Sequence, residues 1–200
     1  MHRVQVTPRC TLAAPRKAPF FMIRQNIFLI GLMAVGKSTV GKGLADALKM
    51  PFFDSDAEIE ARAGAAVSWI FDVEGEQGFR DREEQVIDDL SLMEGVVVAT
   101  GGGVVQRAIN RRHLAERGTV VYLDCPLKRL LARTRNDKKR PLLQGNNREQ
   151  IIRSLWCERA PLYAEIADYK FVSDSQSVKS LVRQIVTQLR DDHVLDPPRG

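Results

Sequence analysis

The stretch Gly31-Leu32-Met33-Ala34-Val35-Gly36-Lys37-Ser38-Thr39 follows the pattern G-x-x-x-x-G-K-S/T. Its chemistry is the cradling of phosphates. Gly31 and Gly36 let the backbone fold tightly, so that N–H groups from Ala34 to Thr39 point at the anion. A helix starting at Lys37 would add roughly half a positive charge at its N-terminus. Lys37 would reach the β- and γ-phosphates, and the Ser38 hydroxyl would ligate Mg²⁺. The spacing predicts ATP or GTP binding. Ala34 stands where the loop can require a positive φ, which costs a residue with a Cβ about 1 kcal/mol.

Other residues carry chemistry in isolation. Asp54 and Asp56 follow an apolar pair, Phe52-Phe53. Asp56 could accept a hydrogen bond from an attacking hydroxyl, or cap a helix running from Ala57. One carboxylate does not easily do both. Arg80 could fork onto a carboxylate, or form a surface ion pair with Glu83 or Glu84 at helical spacing. Arg159 could do the same, or be a solvated residue ending a helix before Pro161. Gly101, Gly102 and Gly103 could let the backbone approach a ligand, or form a plain strand-end turn. Val96–Ala99 ends in Thr100 and not in an acid, so a metal's carboxylate partner must come from elsewhere. Between Arg133 and Arg148 the basic residues outnumber the acidic ones, which suits either a mobile lid (about 135–148) or a solvated loop.

These residues need a frame, and the hydrophobic pattern supplies one. Short apolar runs occur at 26–30, 52–53, 96–99, 120–123 and 169–172. Helical periodicity follows Gly36, begins again near Glu76, and recurs at 107–117, 126–135, 148–158 and 178–189. The pattern predicts an α/β fold: a five-stranded parallel sheet with helices on both faces, as in the three-layer P-loop NTPase class. Every candidate residue on a strand falls at its carboxyl end, where such folds bind ligands.

Composition narrows the classes. The chain has 200 residues, 44% apolar and 28% charged, which suits one globular domain. The net charge of +5 invites a nucleic-acid reading, but Arg3, Arg9, Arg16, Lys17 and Arg24 supply all of it. Residues 25–200 hold 25 basic and 25 acidic side chains, which argues against a nucleic-acid partner. Residues 1–24 are expected to be an overlong gene start, a disordered extension or a targeting segment, ahead of a domain at 25–190 and a tail at 191–200. Three scattered cysteines (Cys10, Cys125, Cys157) suggest a reduced, cytoplasmic compartment. The apolar runs are too short for a membrane helix. A monomer is expected.

In order, Phe53-Asp54-Ser55-Asp56, Gly75 through Glu83, Thr100-Gly101-Gly102-Gly103, Arg140-Pro141-Leu142-Leu143 and Glu158 through Tyr163 resemble the shikimate kinase family. The resemblance runs from about Asn26 to Leu189. It implies transfer of a phosphoryl group from ATP to the 3-hydroxyl of shikimate, with one Mg²⁺ per site. It implies that Lys37, Asp56 and Arg140 are catalytic. It puts Asp56, Arg80, Gly101, Gly102, Gly103 and Arg159 on shikimate, with Arg80 and Arg159 on its carboxylate. Ser38 and Asp54 would hold the metal, Asp54 through water. Arg140 would close over the phosphates, and Arg133 and Gln176 would lie near the adenine. Another small-molecule kinase of this fold, such as a gluconate kinase, and a nucleotide-binding regulator remain as alternatives.

Overall fold

A computed structural model describes residues 25–135, 147–174 and 176–195. Five strands form one parallel sheet: β1 (Asn26–Ile30), β2 (Phe52–Asp54), β3 (Val97–Ala99), β4 (Gly118–Asp124) and β5 (Tyr169–Val172), in the order β2-β3-β1-β4-β5. Every residue of β1 and β3 is buried, so both faces of the sheet are covered. This explains why they read as continuous apolar runs rather than alternating ones. The edge strands β2 and β5 are only partly buried.

The helices are α1 (Lys37–Leu48), α2 (Ser55–Ala63), α3 (Val67–Leu92), α4 (Ala108–Arg117), α5 (Leu127–Thr134), α6 (Arg148–Ile166) and α7 (Val178–Asp191), with a 3-10 turn at Val104–Gln106. The expected elements are all present, but two helices differ in extent. The helix expected from about Glu76 already begins at Val67 and is broken by Gly75, at φ 71° and ψ −176°. The first segment buries Ile70 and sets Phe71 against Phe79, with ring centroids 4.6 Å apart. The helix expected to stop at Glu158 runs on to Ile166 through Pro161. Buried Arg159, Tyr163 and Ile166 hold that extension on the core, and this outweighs the backbone bond lost at the proline.

β1 is the central strand, with β3 and β2 on one side of it and β4 and β5 on the other. The carboxyl ends of β1, β2 and β3 therefore open on a common crevice. The opposite end of β1 is pinned by buried Asn26. Its Nδ2 donates to the carbonyls of Ser91 (3.2 Å) and Met93 (2.5 Å), and its Oδ1 accepts from Val96 N (3.1 Å). Asn26→Ala would strand these backbone groups in a dry setting. It is expected to lower unfolding free energy by about 1–3 kcal/mol in urea titration, with turnover unchanged.

Candidate active site

The loop after β1 has the expected shape. Gly31 and Gly36 have φ of 141° and 101°, and Ala34 takes a left-handed φ of 60°, the positive φ that the loop can require at its position. A Cβ at Gly31 would also lie 2.3 Å from the carbonyl oxygen of Leu123 on β4. The strained turn is braced from outside. Nη1 of Arg133 donates to the carbonyls of Ala34 (3.2 Å) and Val35 (3.1 Å), and Ser173 Oγ donates to Val35 O (2.8 Å). Arg133 thus stands beside the loop, while Gln176 donates to Val172 O (3.0 Å). Lys37 folds back over the loop, donating to the carbonyls of Gly31 (2.7 Å) and Leu32 (2.9 Å). Ser38 and Thr39 are exposed to the crevice.

At the end of β2, Asp54 divides its two oxygens. Oδ2 accepts from Ser38 Oγ (2.5 Å), and Oδ1 accepts from the backbone of Asp56 (3.1 Å) and Ala57 (3.4 Å). Helix α2 therefore begins at Ser55 and is capped by Asp54, not by Asp56. The capping alternative for Asp56 falls away, and its side chain turns toward the glycine triplet. The Ser55 hydroxyl ties the two segments by accepting from Gly101 N (2.9 Å).

The triplet at the end of β3 is small for reasons of space. A Cβ at Gly101 would lie 2.6 Å from Asp56 Oδ1, and one at Gly103 would lie 2.2 Å from Arg80 Nη1. At Gly102 it would meet Met33 N of the phosphate loop at 3.1 Å. Thr100 uses its hydroxyl to donate to Leu29 O (3.0 Å), a bond between strands.

Arg80 and Arg159 are 9% and 5% exposed, so neither is the solvated surface residue that sequence spacing equally allowed. Arg80 does pair with Glu83 (2.7 Å), but Glu83 is itself fully buried; Nη2 reaches Glu76 (3.2 Å). Glu84, the other candidate partner, instead bonds Arg107 (2.6 Å). Arg159 Nη1 donates to Gly102 O (3.2 Å), and so does the hydroxyl of Tyr163 (2.5 Å). Among the described residues, Nε of both arginines and Oε1 of Glu83 have no hydrogen-bond partner. Both arginines line the cleft, where a guanidinium fork suits an incoming anion.

Burial pushes the Glu83 carboxyl above the ordinary glutamate range, against the opposing pull of Arg80. The folded state thus holds this proton more tightly than the unfolded chain. Its contribution to stability is complete below the ordinary glutamate value and is lost as pH rises through the lifted one. Glu83, Phe71, Phe79 and Tyr163 were not identified from sequence as site residues. Glu83 had a visible signal, its spacing from Arg80, but that spacing is the same for a surface pair.

These groups line one open cleft of about 270 Å³, shared by Lys37, Ser38, Thr39, Asp54, Asp56, Arg80, Gly101, Gly102, Gly103 and Arg159. Arg140 lies outside the described residues, as do residues 1–24 and most of the segment expected to form the lid. A phosphate loop beside a pocket with two buried arginines and the Asp56 carboxylate defines a nucleotide-dependent kinase of a small acidic molecule.

Comparison with known proteins agrees. A family model described as Shikimate kinase matches residues 33–190. A shikimate kinase of Vibrio vulnificus (strain YJ016) is 55% identical over 168 residues, 84% of this chain and 98% of that protein. The solved shikimate kinase from Acinetobacter baumannii, in complex with shikimate, superposes with a TM-score of 0.82 at 45% identity, covering 84% of this chain and 94% of that one. The chain belongs to the shikimate kinase family, and its reaction is the ATP-dependent phosphorylation of shikimate. A gluconokinase from Sinorhizobium meliloti, at 16% identity and a TM-score of 0.52, shares the fold alone.

The lifted Glu83 carboxyl predicts a pH effect. As pH falls, Glu83 takes up its proton before exposed carboxylates do and the charge pair with Arg80 is lost. The KM for shikimate should rise on acidification, starting above the ordinary glutamate value of about 4.3. In Glu83→Gln that limb should be absent from the KM profile, and KM should already be raised at neutral pH.

Proposed function

We propose that the 3-hydroxyl of shikimate attacks the γ-phosphate of ATP while Asp56 accepts the hydroxyl proton's hydrogen bond and Arg80 and Arg159 grip the carboxylate. One observation carries this reading: two buried arginines that line the cleft meet at a glycine triplet that also adjoins Asp56 and the phosphate loop. A bidentate arginine fork matches a carboxylate, and a second arginine fixes its orientation. The ring then extends toward Asp56, with the stacked pair Phe71 and Phe79 lining the cleft as its apolar wall.

Phosphoryl transfer asks the protein mainly for positioning and charge. The loop amides of Gly31, Ala34, Val35, Gly36, Ser38 and Thr39 suit the nucleotide's phosphates, and Lys37 neutralises charge on the transferred group. Its present bonds to two loop carbonyls keep its ammonium at the phosphate seat. Ser38 Oγ and Asp54 Oδ2, at 2.5 Å, would hold one Mg²⁺, Asp54 through water, and the ion would polarise the β- and γ-phosphates. Magnesium readily takes its other ligands from phosphate and water, which suits this sparse donor set. Arg140 would close over the phosphates with the lid and exclude water. Arg133 and Gln176 would flank the adenine. The enzyme is read as a cytoplasmic monomer; the free thiols of Cys125 and Cys157 fit a reducing compartment.

A coupled assay of ADP release with shikimate tests this. Lys37→Ala should lower kcat by about 10²- to 10³-fold with the circular dichroism spectrum unchanged. Arg80→Ala should raise the KM for shikimate by about 10- to 100-fold, the worth of one charge-assisted hydrogen bond, with the KM for ATP little changed. A collapse of ATP affinity in Arg80→Ala would overturn the site assignment.

A further inference from the structure

The two arginines reach the substrate pocket from different helices, Arg80 from α3 and Arg159 from α6. A rigid carboxylate can use both only if their separation is held. Two consecutive residues stand between the helices and bond to each. Gln106, which closes the 3-10 turn, donates from Nε2 to Glu158 Oε1 (3.0 Å), the residue before Arg159. Arg107 donates from Nη2 to Asp81 Oδ1 (2.5 Å) and from Nη1 to Glu84 Oε2 (2.6 Å). Asp81 follows Arg80 in the chain, and Glu84 follows Glu83.

The bracing turn is itself tied to the pocket floor. It follows the glycine triplet directly, and the backbone of Gln106 donates to Gly103 O (3.0 Å). One turn later Arg111 adds a further link, from Nε to Glu165 on α6 (3.3 Å) and from Nη1 to Val105 O (2.7 Å).

We infer that Gln106 and Arg107 are positioning residues that set the spacing between Arg80 and Arg159, and so the grip on the substrate carboxylate. The inference rests on the reading of those two arginines as carboxylate holders. The bracing bonds are poor candidates for a stabilising role. Asp81, Glu84 and Glu158 have side chains 56%, 37% and 52% exposed, and exposed pairs contribute little to folding. Their geometry is nonetheless restrictive. A planar guanidinium forked onto two acids one helical turn apart limits how α3 can rotate at that point.

The experiment measures steady-state kinetics with shikimate and ATP on Gln106→Ala, Arg107→Ala, Arg107→Lys and Arg80→Ala. Arg107→Ala and Gln106→Ala should each raise the KM for shikimate by about 3- to 10-fold, short of the ~10²-fold that a full misplacement of about 1 Å can cost. Their kcat, KM for ATP and thermal midpoint should stay close to those of the unaltered enzyme. Arg107→Lys keeps the charge without the fork, and should recover less than half of the Arg107→Ala loss. Full recovery by lysine, an unchanged KM in Arg107→Ala, or a fall in thermal midpoint with KM unmoved would each overturn the inference. Arg80→Ala separates the two levels. If it too leaves the KM for shikimate unchanged, the carboxylate reading fails; if it alone raises KM, only the brace fails.

Discussion

A Cβ at Gly103 would displace the Arg80 guanidinium, one at Gly101 would displace the Asp56 carboxylate, and one at Gly102 would press on the phosphate loop. The rest of the site depends on this shortage of space. β3 lies between β1 and β2, so its end must share the crevice with the phosphate loop and with Asp54 and Asp56. A bare backbone lets Asp56, the arginines and the loop crowd together. The backbone is used as well as tolerated, since Gly102 O takes bonds from Arg159 and Tyr163 and Gly101 N donates to Ser55.

Charge is organised on the same scale. The net +5 resides in residues 1–24, and residues 25–200 are balanced. The catalytic field is local, from Lys37, Arg80 and Arg159, each at most 9% exposed. Burying such cations costs free energy unless they are paired. Lys37 is held by loop carbonyls, Arg159 by Gly102 and Arg80 by Glu83. Each retains the means to meet an anion, because carbonyls carry no net charge and Lys37, Arg80 and Arg159 all line the open cleft. The arrangement keeps a pocket for two negative ligands from repelling either.

Around that field is a ring of supports that tie one segment to another. Arg133 steadies the strained Ala34 turn, Asp54 caps α2 while reaching Ser38, and Gln106 and Arg107 link the helices that bear the two arginines. Each support joins segments far apart in the chain. A kinase that must align a hydroxyl with a phosphate gains from such cross-links, since small displacements are expensive in rate.

The phosphate loop, the five strands, most of the helices and the identity of the two arginines were legible in the amino-acid sequence. These features are local: a glycine pattern, an apolar run, a helical period, a motif. Other features were not. Spacing could not say whether Arg80 and Glu83 meet in water or in the core, because the same three-residue step serves both. It could not choose Asp54 over Asp56 as the cap, nor carry α6 past Pro161, nor show that α3 starts before Gly75. Those outcomes were decided by burial against distant segments. The sequence by itself determined which groups the protein has for handling a phosphate and a carboxylate. Only the tertiary structure decided which of them are dry, which are paired and which are braced, because those properties arise from contacts between residues as far apart in the chain as Gly102 and Tyr163 or Gln106 and Glu158.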